Sequence, residues 1–466
     1  MLLDRLRQED SVYILQRITE GDCCALVGLS NTGKSYLLRS LARPEVRNSL
    51  PFDHATNQAC PELGERTRPE LGERIFVYVD FNLMLEASEQ GFYELILRCL
   101  LEELTLQDPG AEFLPQLQNA YQTLVAPPSV FQISLSFTEG LTAVCRGTPR
   151  SLVLLFDEFD EPFEQIDGRA FLNLRALKDK YRERLSYVTA TNRRLSNIRR
   201  GRDVDEFVEL FQPFTRFLGP LYRVDVDQIV NWVAIQEGYT FDDQDRAFLY
   251  HHADGHLGLL LAVCRALGEV TGEPVRDEGQ DWLIHRQVRD QLDSEINVQA
   301  ECRKLWTDLT EVQQDALMAI VGSEDDLDEH SLESLRNKGL IRREEDILLS
   351  PVFEGFVRRQ RLTRRRRHEG VRVDVESGSV WVDSRQTATL TELEYRLLLL
   401  LYGRLNKICD KYQIVEAVWG EEYIDQIDDA RIDKLLSRLR AKIEPDPRNP
   451  RYIVTVRGRG YKLVTP

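Results

Sequence analysis

One segment, Gly28-Leu29-Ser30-Asn31-Thr32-Gly33-Lys34-Ser35, constrains this chain more than any other. It fits the pattern GxxxxGK[ST]. The apolar run Cys23–Val27 precedes it, and an amphipathic stretch starting near Lys34 follows. A strand, a glycine-bearing loop and a helix N-terminus, in that order, ring a concavity with backbone N–H groups suited to phosphate. Lys34 is predicted to reach the β- and γ-phosphates and Ser35 to ligate Mg²⁺. The predicted nucleotide-binding set is Gly28, Leu29, Ser30, Asn31, Thr32, Gly33, Lys34, Ser35 and Tyr36.

Two more segments complete such a site. Leu152–Leu155 is a continuous apolar run that leads into Phe156, Asp157 and Glu158, as a central parallel strand would. Asp157 is expected to hold the Mg²⁺ shell and Glu158 to polarise an attacking water. Asp160 and Glu161 read as surface groups. The next strand ends in Thr189-Ala190-Thr191-Asn192. There Asn192, with Thr191 as the alternate, is placed to orient water against the γ-phosphate. Lys34, Glu158 and Asn192 are thus the catalytic candidates. An Asn-Lys-x-Asp guanine signature is missing, since Asn337-Lys338 runs on into Gly339-Leu340, and ATP is favoured.

Strands alternating with helices over residues 1–221 imply a parallel α/β sheet, with 44–74 as a surface insertion carrying the repeat PELGER at 61–66 and 69–74. Residues 222–297 read as helical throughout. Residues 298–361 read as a small winged-helix-like packing module, and 362–370 as an arginine-rich linker. Residues 371–466 form an α+β domain. Together the segments before the linker resemble the ATPase core of STAND and origin-recognition-type AAA+ proteins, over about residues 10–295. That resemblance implies an α/β P-loop NTPase with a helical lid. It aligns Asn192 with sensor 1 and Asp254-Gly255-His256-Leu257-Gly258-Leu259-Leu260 with the nucleotide-capping segment, although Leu257 stands where proline is usual. Arg193, Arg194, Arg199, Arg200 and Arg202 offer either an arginine finger for a neighbouring ATP-bound copy or a solvated basic loop.

The net charge of −17 argues at first against nucleic acid. Its distribution decides otherwise: residues 371–466 hold 16 Lys+Arg against 15 Asp+Glu, and 358–370 hold seven arginines and one acid. On the helical period of 430–443, Ile432, Leu436, Leu439 and Ile443 share one face. Arg431, Lys434, Arg438 and Lys442 share another, with Leu435 between them. A helix so divided suits the major groove of double-stranded DNA. Arg457 and Arg459 sit at the tip of a following hairpin, as a wing would.

Leu390-Thr391-Glu392-Leu393-Glu394, Ala417-Val418-Trp419-Gly420, Ser437-Arg438-Leu439-Arg440 and Thr455-Val456-Arg457-Gly458-Arg459-Gly460-Tyr461 resemble the C-terminal effector domain of OmpR-family response regulators. The resemblance implies a winged helix-turn-helix, with Arg438 on a base, Arg440 on phosphate and Leu435 on a thymine methyl. It also implies that the acidic loop 420–430 meets RNA polymerase. An ATPase stands where such regulators carry a receiver.

The function expected is an ATP-dependent transcription regulator. A DNA-remodelling AAA+ ATPase tethered by its winged helix, or a STAND-type signalling switch, are the alternatives. Scattered cysteines without CxxC spacing, no apolar run of membrane-spanning length and an N-terminus unlike a secretory signal are the features of a cytoplasmic chain.

Overall fold

A computed structural model describes residues 6–50, 74–271, 281–323, 327–342, 347–368, 370–374, 378–383, 385–424 and 426–464, with the side chains of 271, 281 and 365–368 outside that description. The chain divides into two compact units, Met1–Phe356 and Val357–Pro466.

Five short apolar runs of the first unit pair as β1 (Cys24–Val27), β2 (Arg74–Asp80), β3 (Ser151–Asp157), β4 (Leu185–Thr191) and β5 (Thr215–Phe217). They form one sheet in the order β2-β3-β4-β1-β5, and every pair is parallel. Every residue of β1, β3 and β4 is buried, because helices cover both faces of a parallel sheet. The order matters for the site. β4 lies between β1 and β3, so the loops that leave the C-terminal ends of these three strands are neighbours.

Between β2 and β3 the chain inserts three helices, Glu89–Gln107, Leu114–Val125 and Val130–Gly147. They pack with the sheet in a core rich in aromatic rings. Phe159 is fully buried there, and its ring centroid lies 5.3–6.4 Å from those of Phe81, Phe92, Phe156, Phe163, Phe171 and Phe207. After β5 come four helices, Arg223–Glu237, Asp243–Ala253, Leu257–Thr271 and Asp281–Leu292, and then three more, Ile296–Thr307, Glu311–Val321 and Glu329–Asn337. An isolated antiparallel bridge pairs Ile341 with Leu348. Of the expected insertion, Pro44–Ser49 is a helix and Arg74 begins β2; residues 51–73, and most of the PELGER repeat, lie outside the described residues.

Residues Pro351–His368 form one helix, so 362–368 of the expected linker is helical. Val352, Phe353, Phe356 and Val357 are buried at its start, and the following arginines favour helix with no proline to stop it.

In the second unit, β6 (Val371–Val373), β7 (Val380–Val382) and β8 (Arg385–Gln386) form a small antiparallel sheet. Helices Glu392–Gly403, Lys411–Val418 and Asp429–Ile443 follow, then the hairpin β9 (Ile453–Val456) and β10 (Gly460–Leu463). Their apolar faces share one core that includes Leu397, Leu401, Ile414, Leu436, Leu439 and Tyr452. Gly460 is required there: its φ is +129°, and a Cβ would stand 2.1 Å from the carbonyl oxygen of Cys409. Among the described residues no helix is long and apolar enough to cross a membrane.

Truncating Phe159 to alanine removes the ring on which six others converge. Phe159→Ala should destabilise the first unit by about 3–5 kcal/mol, read as a lower urea midpoint for its unfolding transition; a midpoint unchanged within error would contradict this packing.

Candidate functional site

The loop after β1 is bent by two left-handed positions, Asn31 (φ 58°) and Gly33 (φ 96°). Gly28 N–H donates to Thr191 O at 3.0 Å, which ties the loop to the end of β4. The Thr32 N–H and hydroxyl both donate to Leu29 O, at 3.3 and 2.8 Å. Helix Lys34–Ala42 starts from this turn. The buried Lys34 ammonium donates to Gly28 O (2.8 Å), Leu29 O (3.0 Å) and Asn192 Oδ1 (2.7 Å), so all three of its protons have acceptors. Burial pulls its pKa down, opposed by Glu158, Asp160, Asp308 and Asp157.

The structure therefore brings Asn192 to Lys34. Thr191 is fully buried and donates instead to Arg193 O at 2.7 Å. Asp157 is buried at the end of β3: Oδ2 accepts from Tyr78 Oη at 2.6 Å, and Oδ1 accepts the Glu158 N–H at 3.1 Å. Glu158 is half-buried in a left-handed conformation (φ 52°). Burial raises its carboxyl pKa, and Lys34 works against that. A cavity of about 400 Å³ is lined by Lys34, Ser35, Tyr36, Glu158, Leu257 and Glu301, among others. Asp160 departs from the surface role expected of it. Both of its carboxylate oxygens accept the Asn192 N–H, at 3.0 and 2.9 Å, and burial raises its pKa. Glu161 is exposed.

Several participants carry no sequence motif. Arg7 is buried, and its guanidinium donates to Thr32 O (3.0 Å), Gly219 O (2.6 Å) and Asp10 (3.1 Å). Its N–H donates to Asp225 Oδ1 at 3.2 Å. One residue thus ties the loop to the segment after β5 and to the helix that follows. Two carboxylates also reach the loop from far along the chain. Asp308 Oδ2 accepts the Ser30 N–H at 2.5 Å, and Glu301 Oε2 accepts from Asn31 Nδ2 at 2.7 Å. Asp308 directly follows helix Ile296–Thr307, and Glu301 lies within it. Beside them, His256 Nδ1 accepts the Leu259 N–H at 3.3 Å, while its buried Nε2 has no hydrogen-bond partner among the described residues. Burial drives the His256 pKa down to about 4, so the ring is neutral near pH 7.

In the second unit, helix Asp429–Ile443 is capped by Asp428, whose carboxylate accepts the Arg431 N–H at 3.0 Å. Ile432, Leu436, Leu439 and Ile443 are buried, as expected. Leu435 is a correction: only 5% exposed, it belongs to the same apolar arc and packs in the core, so it presents no side chain to a groove. Arg431, Lys434 and Arg438 are exposed on the helix, and Arg457 and Arg459 are exposed at the hairpin turn. The other two basic candidates are engaged inside the domain. Arg440 donates to Ile453 O (3.1 and 2.7 Å) and Thr455 Oγ1 (2.8 Å), which fastens the helix to β9. Lys442 donates to Glu394 Oε2 (2.7 Å) and Thr389 O (2.8 Å). The buried Glu444 carboxylate accepts the N–H groups of Arg451, Tyr452 and Ile453 and sets the start of β9.

Comparison with known proteins finds a family match within the second unit. Residues 385–463 match the family model described as "Transcriptional regulatory protein, C terminal". The sensory transduction protein RegX3 of Mycobacterium tuberculosis is 43% identical over 93 residues, covering 20% of this chain and 40% of the relative. The alkaline phosphatase synthesis transcriptional regulatory protein SphR of Synechococcus elongatus is 38% identical over 97 residues, covering 21% and 37%. The chain thus spans about 40% of the length of the relatives it matches. Within the C-terminal unit, residues 385–463 are thus similar to the C-terminal domain of transcriptional regulatory proteins. Among solved structures, the Walker-type ATPase PABY2304 of Pyrococcus abyssi overlaps 76% of this chain and 96% of its own, at 13% identity and a TM-score of 0.45. The RstA DNA-binding domain of Klebsiella pneumoniae, in complex with its RstA box, covers 21% and 94%, at 26% identity and a TM-score of 0.19.

Lys442 generates a pH-dependent prediction. Burial alone would raise the Glu394 carboxyl, but hydrogen bonds from Lys442 and Thr391 outweigh it and hold the pKa below its ordinary value. A depressed folded-state pKa contributes stability above the unfolded-state value, and that stability is lost as pH falls through the folded-state value. Lys442→Met should therefore lower the protection factors (exchange corrected for its intrinsic rate) of residues 429–443 at pH 7 and flatten their decline on acidification. An identical acid profile in both proteins would remove the pair from the account.

Proposed function

We propose that this chain is a transcription regulator in which ATP at the loop Gly28–Tyr36 competes with an internal carboxylate and thereby alters the presentation of the C-terminal DNA-binding domain. One observation carries the reading: Asp308 Oδ2 lies 2.5 Å from Ser30 N, on a backbone donor of the loop. That donor holds an anion, which is the test a phosphate-binding loop must meet. His256 Nε2, buried beside the loop and without a partner among the described residues, is a second group suited to a ligand.

The residues fit a Mg²⁺–nucleotide. The loop amides and Lys34 would hold phosphates, and Ser35 and Asp157 would hold Mg²⁺. Bound ATP supplies a cleavable phosphoanhydride and the binding energy to displace an internal competitor. The chain's own groups are arranged for the rest. Asn192 steers Lys34, Tyr78 orients Asp157, and Glu158 is a proton acceptor whose basicity burial increases.

In this reading helices Arg223–Glu237 to Asp281–Leu292 act as a lid, and residues 298–361 as a module whose docking reports the state of the loop. Phosphate and Asp308 would claim the same N–H, so nucleotide binding weakens module docking. The chain passes from that module to the effector domain through helix Pro351–His368. At the effector, Arg431, Lys434 and Arg438 meet the major groove while Arg457 and Arg459 meet the backbone or minor groove; their common exposure supports this. ATP-bound copies associate, and the acidic stretch 420–430, with Glu421 and Glu422 exposed, is the surface offered to RNA polymerase.

Asp308→Asn removes the competing charge and should tighten ATP binding by about tenfold, whereas Lys34→Ala should weaken it. Calorimetric titration reads both, and an Asp308→Asn affinity equal to or below wild type would refute the competition. Arg438→Ala should cost about 1–3 kcal/mol of specific DNA affinity. Specific binding that survives Arg431→Ala, Lys434→Ala and Arg438→Ala combined would sink the assignment of the DNA face.

A further inference from the structure

The basic segment after β4 lines a second cavity, of about 690 Å³, together with residues from helices Glu311–Val321 and Glu329–Asn337. It shares no lining residue with the cavity at the phosphate loop. Arg193, Arg194, Arg199, Arg200, His330 and Lys338 all contribute to its wall. Glu333 is the one acid lining it, and its carboxylate lies 3.7 Å from Arg336.

The arginines are unequal in their commitments. Arg199 pairs with Asp203 and donates to Ile166 O. Arg194 lies over the Phe217 ring, 4.8 Å from its centroid, and Arg200 donates only to the backbone oxygen of Ser196. Among the described residues no ion pair is formed by Arg194 or Arg200, while Arg193 acts on the Asp160 carboxyl, whose pKa it helps to hold down. Lys338, half-buried, donates to two neutral acceptors, Asp308 O at 3.3 Å and Gln313 Oε1 at 3.1 Å. Burial pulls its pKa down to about 8, reinforced by Arg193 and opposed by Asp308.

Like charges that converge on a concave wall with a single carboxylate, Glu333, repel one another unless an anion lies between them. Planar guanidinium forks suit phosphate oxygens, and the hydroxyl of Thr310 and the amide of Asn337 add neutral donors or acceptors on the same wall. The volume falls in the range of small-molecule sites.

We propose that this cavity is a second, separate anion site that binds a small polyphosphorylated molecule. Its place in the hydrogen-bond network gives it leverage. Lys338 donates to the carbonyl of Asp308, and the carboxylate of that same residue sits on the Ser30 N–H. A ligand that draws Lys338 into the cavity bears directly on the contact at the loop. The binding stands independently of the nucleotide reading above; only this effect on the loop rests on it.

The test uses the full chain and inorganic pyrophosphate as probe, followed by calorimetry. Lys34→Ala cripples the loop site, so pyrophosphate binding that persists in this variant reports the second cavity. Adding Arg194→Ala and Arg200→Ala, both exposed side chains, should then weaken binding about tenfold or more. Loss of all binding in Lys34→Ala, or indifference to the two arginine substitutions, overturns the proposal. If circular dichroism finds Lys34→Ala misfolded, the arginine pair is placed in the wild-type chain. There it should abolish one class of pyrophosphate site and leave the other, and an unchanged isotherm overturns the proposal. Repeating the titration at a dilution where sedimentation finds single chains separates a free ligand from a neighbour's bound nucleotide. Binding by single chains without ATP is expected, and binding only in ATP-bound assemblies overturns the proposal.

Discussion

A buried ammonium must satisfy its protons, and the centre of the first unit is built around that requirement. Lys34 spends two hydrogen bonds on carbonyls of its own loop and the third on Asn192. Asn192 is in turn held through its N–H by Asp160. Leaving any of these groups unpaired at this depth would cost about 1–3 kcal/mol each, so the loop, the end of β3 and the end of β4 are fixed together. The sheet order makes this possible, since β4 stands between β1 and β3.

The same loop is touched from 278 and 270 residues away by two carboxylates, on Ser30 and Asn31. A helix N-terminus with free amides attracts negative charge wherever it comes from. Asp308 supplies it from within the chain, and Lys338 anchors that residue through its carbonyl. In the proposed function, ATP and this internal anion would exchange at the Ser30 amide, and that exchange would be the signal passed to the second unit.

Much of this was legible in the sequence, because the informative features were local. The GxxxxGK[ST] spacing, the apolar run ending in Asp157 and Glu158, and the divided helix 430–443 each hold their meaning within about twenty residues. What was not legible depends on tertiary partners. Arg7, Tyr78, Asp308 and Lys338 carry no motif, and their roles come from folding distant segments together. Asp160 looked like a strand-end acid until Asn192 folded back on it. Arg440 and Lys442 have the charge of DNA contacts, but β9 and Glu394 claim their donors. Leu435 sat at the margin of two faces on a helical wheel, and packing placed it in the core. Periodicity assigns a face; it does not say which polar partner waits there.

The central claim is that nucleotide and Asp308 exclude one another at the Ser30 amide. Hydrogen–deuterium exchange of the full chain with and without Mg²⁺–ATP tests it most directly. The account predicts slower exchange across residues 28–36 on adding ATP and, in the same sample, faster exchange across 296–310. Protection of both segments together would mean that they do not compete, and would contradict it.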